Sequence, residues 1–240
     1  MRRQEEKRWI GLKNDCKYLC GMLNVYCIPG MGVDGRLFKN LKLNNCMIHH
    51  IKWETPHRNE SLASYAMRLT NQIDTSQPFA LIGVSFGGMC CMEIAKKLDP
   101  VKTFIVSSSK TRSEVPQKIK MWKRIPMYKY ISDRMYKKAA FLLKKQFGVT
   151  TEDQAKKFLE MLETAPKNYF KGAVHCIMQW NNTECPESVV HIHGTADQVL
   201  PHKLIANCDY TIKNGTHFMM ISKADEINKI INKELESAQK

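Results

Sequence analysis

The segment Leu81–Gly88 constrains the fold more than any other part of the chain. It begins as an apolar run, reaches Ser85, and continues at once into a helix-like pattern. Gly83 and Gly87 lie two residues to either side of the serine, which gives the Gly-x-Ser-x-Gly pattern of a sharp strand-to-helix turn. Such a tight turn brings the flanking backbones so close that side chains there would collide. The pattern predicts an exposed, nucleophilic serine hydroxyl; a glycine-rich turn without a chemical role is the alternative.

Two later turns carry the partners that a nucleophilic serine needs. A serine hydroxyl near neutral pH requires a base and a third group that orients the base. Asp197 follows a buried strand-like run and a glycine turn, and His217 follows the short run 209–212. The order serine, acid, histidine is the one that this turn requires, and each residue comes just after a predicted strand. Because the carboxyl ends of parallel strands share one sheet edge, we predict a catalytic triad of Ser85, Asp197 and His217.

The loop after the first predicted strand supplies a candidate oxyanion hole. The tetrahedral intermediate of acyl transfer needs two N–H donors aimed at its oxygen. One is expected from Phe86, the residue after the serine, and the other from Met31 in the glycine-containing loop 29–32. The alternative is that this loop is a plain strand-to-helix turn.

Strand-like and helix-like segments alternate along most of the chain. Strands are predicted at 23–28, 46–53, 79–84, 102–107, 188–193 and 209–212. Helices are predicted at 35–41, 60–74, 86–98 and 224–236. Short apolar strands that alternate with helices predict an α/β fold, with about six mostly parallel strands and helices on both faces of the sheet.

Residues 110–180 interrupt this alternation. They contain no convincing strand, and helical patterns cover 115–124, 127–146, 151–163 and 166–178. The apolar residues that recur there at helical spacing are Met121, Trp122, Ile125, Met127, Tyr128, Phe141, Leu142, Phe147, Phe158, Met161, Tyr169, Phe170, Met178 and Trp180. We expect most of them to pack this segment against itself and a few to line an apolar pocket.

Four segments together resemble the α/β-hydrolase superfamily, in its small single-domain branch of esterase-like and thioesterase-like serine hydrolases. They are 28–32, 83–88, 192–197 and 215–218. The resemblance implies a nucleophile at Ser85, an acid at Asp197 and a base at His217. It also implies oxyanion amides at Met31 and Phe86, and a helical cap inserted above the nucleophile.

The chain departs from this family in two places. Residues 1–21 leave little room for the two antiparallel strands that often begin the family. Pro-Gly-Met-Gly at 29–32 replaces the His-Gly-Gly-Gly motif of some lipases and esterases. The implied division is a basic N-terminal tail at 1–21, a core formed by 22–109 and 181–240, and a basic cap at 110–180.

Positive charge is concentrated in the cap. The chain carries 37 Lys and Arg against 23 Asp and Glu, a net charge of +14. Residues 110–180 hold 16 of the basic and 6 of the acidic side chains. Three interpretations stay open: a solvated surface, attraction of an anionic substrate or acidic carrier such as coenzyme A or an acyl carrier protein, and an anionic membrane surface. Nucleic acid is not expected, because no nucleic-acid-binding pattern appears.

No pattern calls for a metal or an organic cofactor. The nine cysteines form no disulfide framework, and Cys16 and Cys20 are a weak zinc pattern. His191 and His193 share one strand face and are expected to be structural. The chain has no apolar run of about 18 residues, so no membrane span is predicted. The charged N-terminal segment is unlike a signal peptide and the thiols are expected to be reduced, so we predict a cytoplasmic protein.

The leading hypothesis is a serine hydrolase that cleaves a carboxylic ester or thioester through an acyl-enzyme intermediate. An acyl-CoA or acyl-carrier thioesterase is a narrower alternative. A non-catalytic ligand-binding protein with the same fold is the alternative from another class. The acyl chain, the leaving group, related lyase or carbon–carbon cleavage chemistry and the oligomeric state stay open.

Overall fold

The computed structural model describes residues 22–121 and 127–238. The expected tail at 1–21, with its cysteines, lies outside the described residues. So do Trp122 and Ile125 of the cap.

One six-stranded sheet forms the centre of the core, and every neighbouring pair of its strands is parallel. The strands are β1 (Leu23–Ile28), β2 (Cys46–His50), β3 (Phe79–Val84), β4 (Thr103–Val106), β5 (Val189–Gly194) and β6 (Tyr210–Ile212). Their spatial order is β2-β1-β3-β4-β5-β6. Every residue of β3, β4 and β5 is buried, as expected for strands covered on both faces.

The strand order reverses between β1 and β3. The chain leaves β1 toward β2 on one side and leaves β3 toward β4 on the other. A crevice therefore opens beyond the carboxyl ends of these two strands, which is where open α/β sheets bind their ligands. The loop with Met31 follows β1 and Ser85 follows β3, so both predicted positions lie at this crevice.

The described residues form eight α-helices. They are α1 (Leu62–Leu69), α2 (Phe86–Ala95), α3 (Gln117–Met121), α4 (Asp133–Leu142), α5 (Glu152–Glu163), α6 (Tyr169–Gln179), α7 (Met219–Ser222) and α8 (Ala224–Ala238). Helices α3 to α6 lie between β4 and β5, where the cap is predicted. None of the described helices is both long and apolar enough to cross a bilayer.

Three predicted elements differ from the structure by more than a shift of their ends. The helix predicted at 35–41 is a single 3₁₀ turn, Gly35–Phe38. The helix predicted at 127–146 is divided, because the Ser132 hydroxyl accepts the N–H of Met135 and starts α4 afresh. The strand predicted at 46–53 ends at His50, and Trp53 turns inward toward the loop after β1.

Most of the apolar cap residues are expected from the sequence to pack the cap against itself, and three of them have other surroundings. Met121 is 59% exposed and Leu142 is 72% exposed. Trp180 is buried, but its indole N–H donates to Glu93 of α2 at 2.7 Å, so it anchors the end of the cap to the core. Helical spacing identifies residues that share a face, but it does not say whether that face has a partner.

Candidate active site

Ser85 occupies a strained turn between β3 and α2. Its backbone has φ 54° and ψ −119°, a region that residues with side chains rarely adopt. A Cβ atom on Gly83 would lie 2.5 Å from the carbonyl oxygen of Gly87, and a Cβ on Gly87 would lie 2.2 Å from that of Ile28. Both contacts are far too short for any side chain. The two glycines predicted from the sequence are therefore required by the close approach of α2 to β1 and β3.

His217 lies between Ser85 and Asp197. Its Nε2 is 2.9 Å from the Ser85 hydroxyl oxygen, and its Nδ1 is 2.8 Å from Oδ2 of Asp197. A carboxylate can only accept, so Nδ1 carries the proton and Nε2 is left to accept from the hydroxyl. The structure thus brings the three predicted residues into one hydrogen-bonded line.

The carboxylate of Asp197 is buried and fully engaged. Its Oδ1 accepts the backbone N–H groups of Val199 and Leu200, each at 2.9 Å, while Oδ2 faces His217. Burial alone would raise the pKa of this carboxyl group. The nearby imidazoles and the hydrogen bonds outweigh that effect and hold its pKa below the usual value. Asp197 is therefore ionised at neutral pH and able to orient His217.

Contact between two glycine turns sets the separation of the acid and the histidine. A Cβ on Gly194 would lie 2.2 Å from the carbonyl oxygen of Gly215. The same carbonyl accepts the N–H of Ala196 at 2.9 Å. The turn after β5 and the turn after β6 are thus held together, and residues on both are brought within hydrogen-bonding reach.

The loop after β1 runs beside the serine and is fixed by Trp53. The indole N–H of Trp53 donates to the carbonyl oxygens of Gly30 and Val33, at 3.1 and 2.9 Å. Within the described residues, neither the N–H of Met31 nor that of Phe86 donates to another protein group. Both amides are thus available to a ligand at the serine. Sequence reasoning missed Trp53, because nothing in the pattern around it indicates where a buried indole finds its acceptor.

A largely apolar cavity of about 390 Å³ adjoins Ser85 and His217. Core and cap both contribute to its wall; the cap residues include Ile119, Tyr136, Ala139, Leu143 and Phe170. Lys118 is the one Lys, Arg, Asp or Glu side chain among the described lining residues. Such a wall suits an acyl chain.

Only some of the apolar cap residues singled out in the sequence line this cavity. They are Phe147, Phe158, Phe170 and Met178. Ala139 and Ala140 also line the cavity, but nothing in the sequence around them distinguishes them from other helical alanines.

Aromatic side chains connect the cap with the histidine turn. The ring of Phe147 meets the His217 imidazole edge-on at 5.6 Å between centroids, and Phe158 meets Phe218 at the same distance. Gly148, at φ +87°, lies so close to Thr216 that a Cβ would be 2.1 Å from its hydroxyl oxygen. The cap therefore packs directly against the base of the candidate site.

His191 and His193 form a buried pair behind the acid. His193 Nε2 donates to the carbonyl oxygen of Leu200 at 2.8 Å, and its Nδ1 lies 3.2 Å from Nε2 of His191. Burial lowers the pKa of both rings, so they are neutral. The rings thus contact protein groups and each other. In the part of the chain that the structure describes, no group of three His, Cys, Asp or Glu side chains is arranged to hold a metal.

Comparison with known proteins identifies the family and the fold. A family model described as a thioesterase domain matches residues 24–235. No curated protein matches the chain. Among solved structures, MenH from S. aureus is similar with a TM-score of 0.70 and 14% identity, covering 92% of this chain and 96% of that one.

Two further structures share the fold. A thermophilic esterase from Thermogutta terrifontis has a TM-score of 0.65 and 14% identity, with 92% of each chain covered. A lipase-esterase related protein from Clostridium acetobutylicum has a TM-score of 0.62 and 18% identity, covering 89% of this chain and 95% of that one. The family model spans nearly the whole chain, so the protein belongs to the thioesterase-domain family of the α/β-hydrolase superfamily and is an ester or thioester hydrolase.

Proposed function

We propose that the protein cleaves its ester or thioester through a covalent acyl-enzyme on Ser85. The observation that carries the proposal is the hydrogen-bonded line from Ser85 through His217 to Asp197 at the wall of an apolar cavity. A serine next to a base, with the base oriented by a buried carboxylate, is the arrangement that activates a hydroxyl as a nucleophile.

In the proposed first step, His217 Nε2 takes the proton of Ser85 as its oxygen attacks the acyl carbon. Asp197 stabilises the resulting imidazolium. The imidazolium then protonates the departing alkoxide or thiolate, and the acyl group stays on the serine. Water enters in the second step, and its oxygen attacks the acyl carbon while His217 Nε2 takes one of its protons. The bond between the acyl carbon and Ser85 then breaks, His217 returns the proton to the serine oxygen, and the carboxylic acid leaves. No metal or organic cofactor has a part in this scheme.

The amides of Met31 and Phe86 are the proposed oxyanion hole. Both residues line the cavity beside Ser85, and neither N–H is used by another described protein group. The hydrogen bonds from Trp53 hold the Met31 loop in place before substrate arrives. Donors that are fixed in advance stabilise the developing charge without reorganising during the reaction.

A thioester of an anionic carrier is the narrower candidate. The family model, the 16 basic side chains of residues 110–180 and Lys118 at the cavity wall favour it. Phosphates of coenzyme A or an acidic carrier protein would be attracted by this charge. In the same proposal, residues 22–109 and 181–240 act as the core, and residues 110–180 act as the cap.

We also propose that the protein acts in the cytoplasm. The seven cysteines of the described residues are all free thiols, which accords with a reducing compartment.

The Ser85→Ala variant tests the acyl-enzyme mechanism. Steady-state turnover of p-nitrophenyl esters should fall by about 10⁴ to 10⁶, as in other enzymes of this kind. Ser222→Ala, an exposed serine on α7, is the matched control and should retain full turnover. Substantial turnover in a folded Ser85→Ala protein would overturn the mechanism. No turnover by the wild type on any ester or thioester would favour the binding-protein alternative.

A comparison of kcat/KM for acyl-CoA and for an N-acetylcysteamine thioester of equal chain length tests whether the protein prefers thioesters of anionic carriers. Both have the same reacting group, but only acyl-CoA carries phosphates. A preference for anionic carriers predicts a higher kcat/KM for acyl-CoA at low salt and a steep loss of that advantage as salt rises. Equal kcat/KM values would overturn the carrier proposal and leave the hydrolase proposal intact.

A further inference from the structure

Helix α4 presents large apolar side chains to solvent. Six of the nine large apolar residues that are exposed in the described chain lie in the cap. On α4, Met135 is 58% exposed and Leu142 is 72% exposed. Single exposed apolar residues are common, but several in one segment mark an interaction surface.

The exposed apolar residues of α4 form one stripe. Met135, Ala139 and Leu142 follow the i, i+4, i+7 spacing of a single helix face, and all three are exposed. Arg134 and Lys138 lie along one side of this stripe and are exposed as well. Neither of these cations pairs with a carboxylate in the part of the chain that is described. We call these five residues the α4 face.

The surrounding segment is strongly basic. Residues 115–150 contain ten Lys or Arg side chains and a single acidic one, Asp133. The carboxylate of Asp133 is engaged by the backbone N–H groups of Asn168 and Phe170 at the start of α6. One carboxylate offsets little of the positive charge of the described cations in this segment, of which Lys137 is paired with Glu163 at 2.8 Å, and the surface is complementary to anions.

The α4 face is continuous with the mouth of the cavity. Ala139 and Leu143 both line the cavity and are both exposed to solvent. If α4 were in contact with another surface, a hydrophobic molecule that moved from that surface to Ser85 would pass Ala139 and Leu143.

We propose that the α4 face docks the protein on an anionic lipid bilayer. An apolar stripe flanked by cations is the pattern of a helix that lies in the plane of a membrane surface, with its apolar side chains among the acyl chains and its cations at anionic headgroups. A bilayer accommodates Met135 and Leu142 among its acyl chains and Arg134 and Lys138 at its headgroups, whereas the phosphate groups of a soluble carrier would pair only with the two cations. This surface is independent of the acyl-enzyme chemistry.

Vesicle flotation tests the docking surface, with full-length Ser85→Ala protein used to prevent turnover. The vesicles contain phosphatidylcholine alone or with 30 mol% of phosphatidylglycerol. We expect binding to the anionic vesicles at low salt, at least about tenfold weaker binding to neutral vesicles, and a similar loss at high salt, because each cation near the surface contributes to binding.

Two double variants locate the surface. Met135→Ser with Leu142→Ser, and Arg134→Glu with Lys138→Glu, should each reduce vesicle binding by about tenfold or more. None of these four residues lines the cavity. Met47→Ser on β2, and Lys97→Glu with Lys229→Glu on the core, are the matched controls and should bind like the parent protein. Circular dichroism and thermal unfolding establish that each variant is folded.

Absence of binding to anionic vesicles at low salt would overturn the proposal. So would equal binding by folded α4-face variants and controls, because another surface would then be responsible. Equal binding to neutral and anionic vesicles would contradict the charge argument. If the protein binds an acidic acyl carrier protein through the α4 face and ignores vesicles, the occupant is a protein and the bilayer proposal is wrong.

Discussion

At the sheet edge, hydrogen bonds of 2.8 and 2.9 Å join Ser85, His217 and Asp197, and the glycines of the turns pack so closely that a Cβ atom would not fit. The cap, in contrast, contributes mainly apolar side chains to the same cavity. Hydrogen-bonded groups have one good geometry, but apolar contacts tolerate small shifts. Substitutions at the sheet edge should therefore abolish function or folding, and substitutions in the cap should have graded effects.

After the loss predicted for Ser85→Ala, the largest expected effect is the fall in turnover caused by Asp197→Asn. The amide retains the shape of the carboxylate but lacks its charge and can favour the wrong imidazole tautomer, so kcat should fall by about 10³ to 10⁴. Asp225→Asn, an exposed carboxyl group in α8, is the control and should have no effect. Steady-state kinetics on a p-nitrophenyl ester measures both variants. A loss of less than tenfold for Asp197→Asn would contradict the fixed geometry assigned to the sheet edge.

Gly87→Ala should have the next largest effect, on folding. Its Cβ would lie 2.2 Å from a backbone oxygen, so α2 and β1 would have to separate, at a cost of about 3 kcal/mol or more. Gly30→Ala is the matched control, because its Cβ would meet its neighbours at 3.6 Å or more. Thermal unfolding of both variants makes the comparison. Similar midpoints would show that this turn is less tightly packed than its backbone contacts indicate.

Phe147→Ala probes the cap side of the comparison. Loss of the ring removes an edge-on contact with His217 and part of the cavity wall, so kcat/KM should fall by about tenfold, far less than for Asp197→Asn. Phe147→Leu should recover most of the activity, since an apolar side chain again fills the site. A loss of activity as large as that for Asp197→Asn would contradict the expected difference between the sheet edge and the cap.

The smallest expected effect is the pH dependence of stability that Asp197 contributes. Its folded pKa lies below the usual value, so its contribution is present above the unfolded pKa and is lost as pH falls through the folded one. Chemical unfolding of wild type and Asp197→Asn should therefore show a stability gap at pH 6 that narrows below about pH 4. A gap that does not change with pH would contradict the lowered pKa.

Local chemistry explains why the sheet edge could be predicted from sequence. The elbow needs glycines at fixed positions around Ser85, and the acid and histidine follow their strands in a fixed order. Each of these requirements concerns one short stretch of sequence, so it can be recognised without knowing which stretches meet in the fold. Strands buried on both faces are likewise marked by their own composition, and β1 and β3 have the predicted bounds.

The cap could be predicted only in outline, because its details depend on distant partners. The positions that line the cavity depend on how four helices lie over the core, and periodicity does not contain that information. Trp53 is held by carbonyl groups about twenty residues earlier, and Trp180 by a carboxylate in α2. Leu142 is of a residue type that usually packs in a protein interior, but it lies on the α4 face, which has no partner among the described residues.

Covalent labelling by a fluorophosphonate probe, followed by intact mass measurement, tests the central proposal of an activated Ser85 most directly. The account predicts a single adduct on the wild type and none on Ser85→Ala, with both proteins folded. No adduct on the folded wild type, or an unchanged adduct on Ser85→Ala, would contradict it.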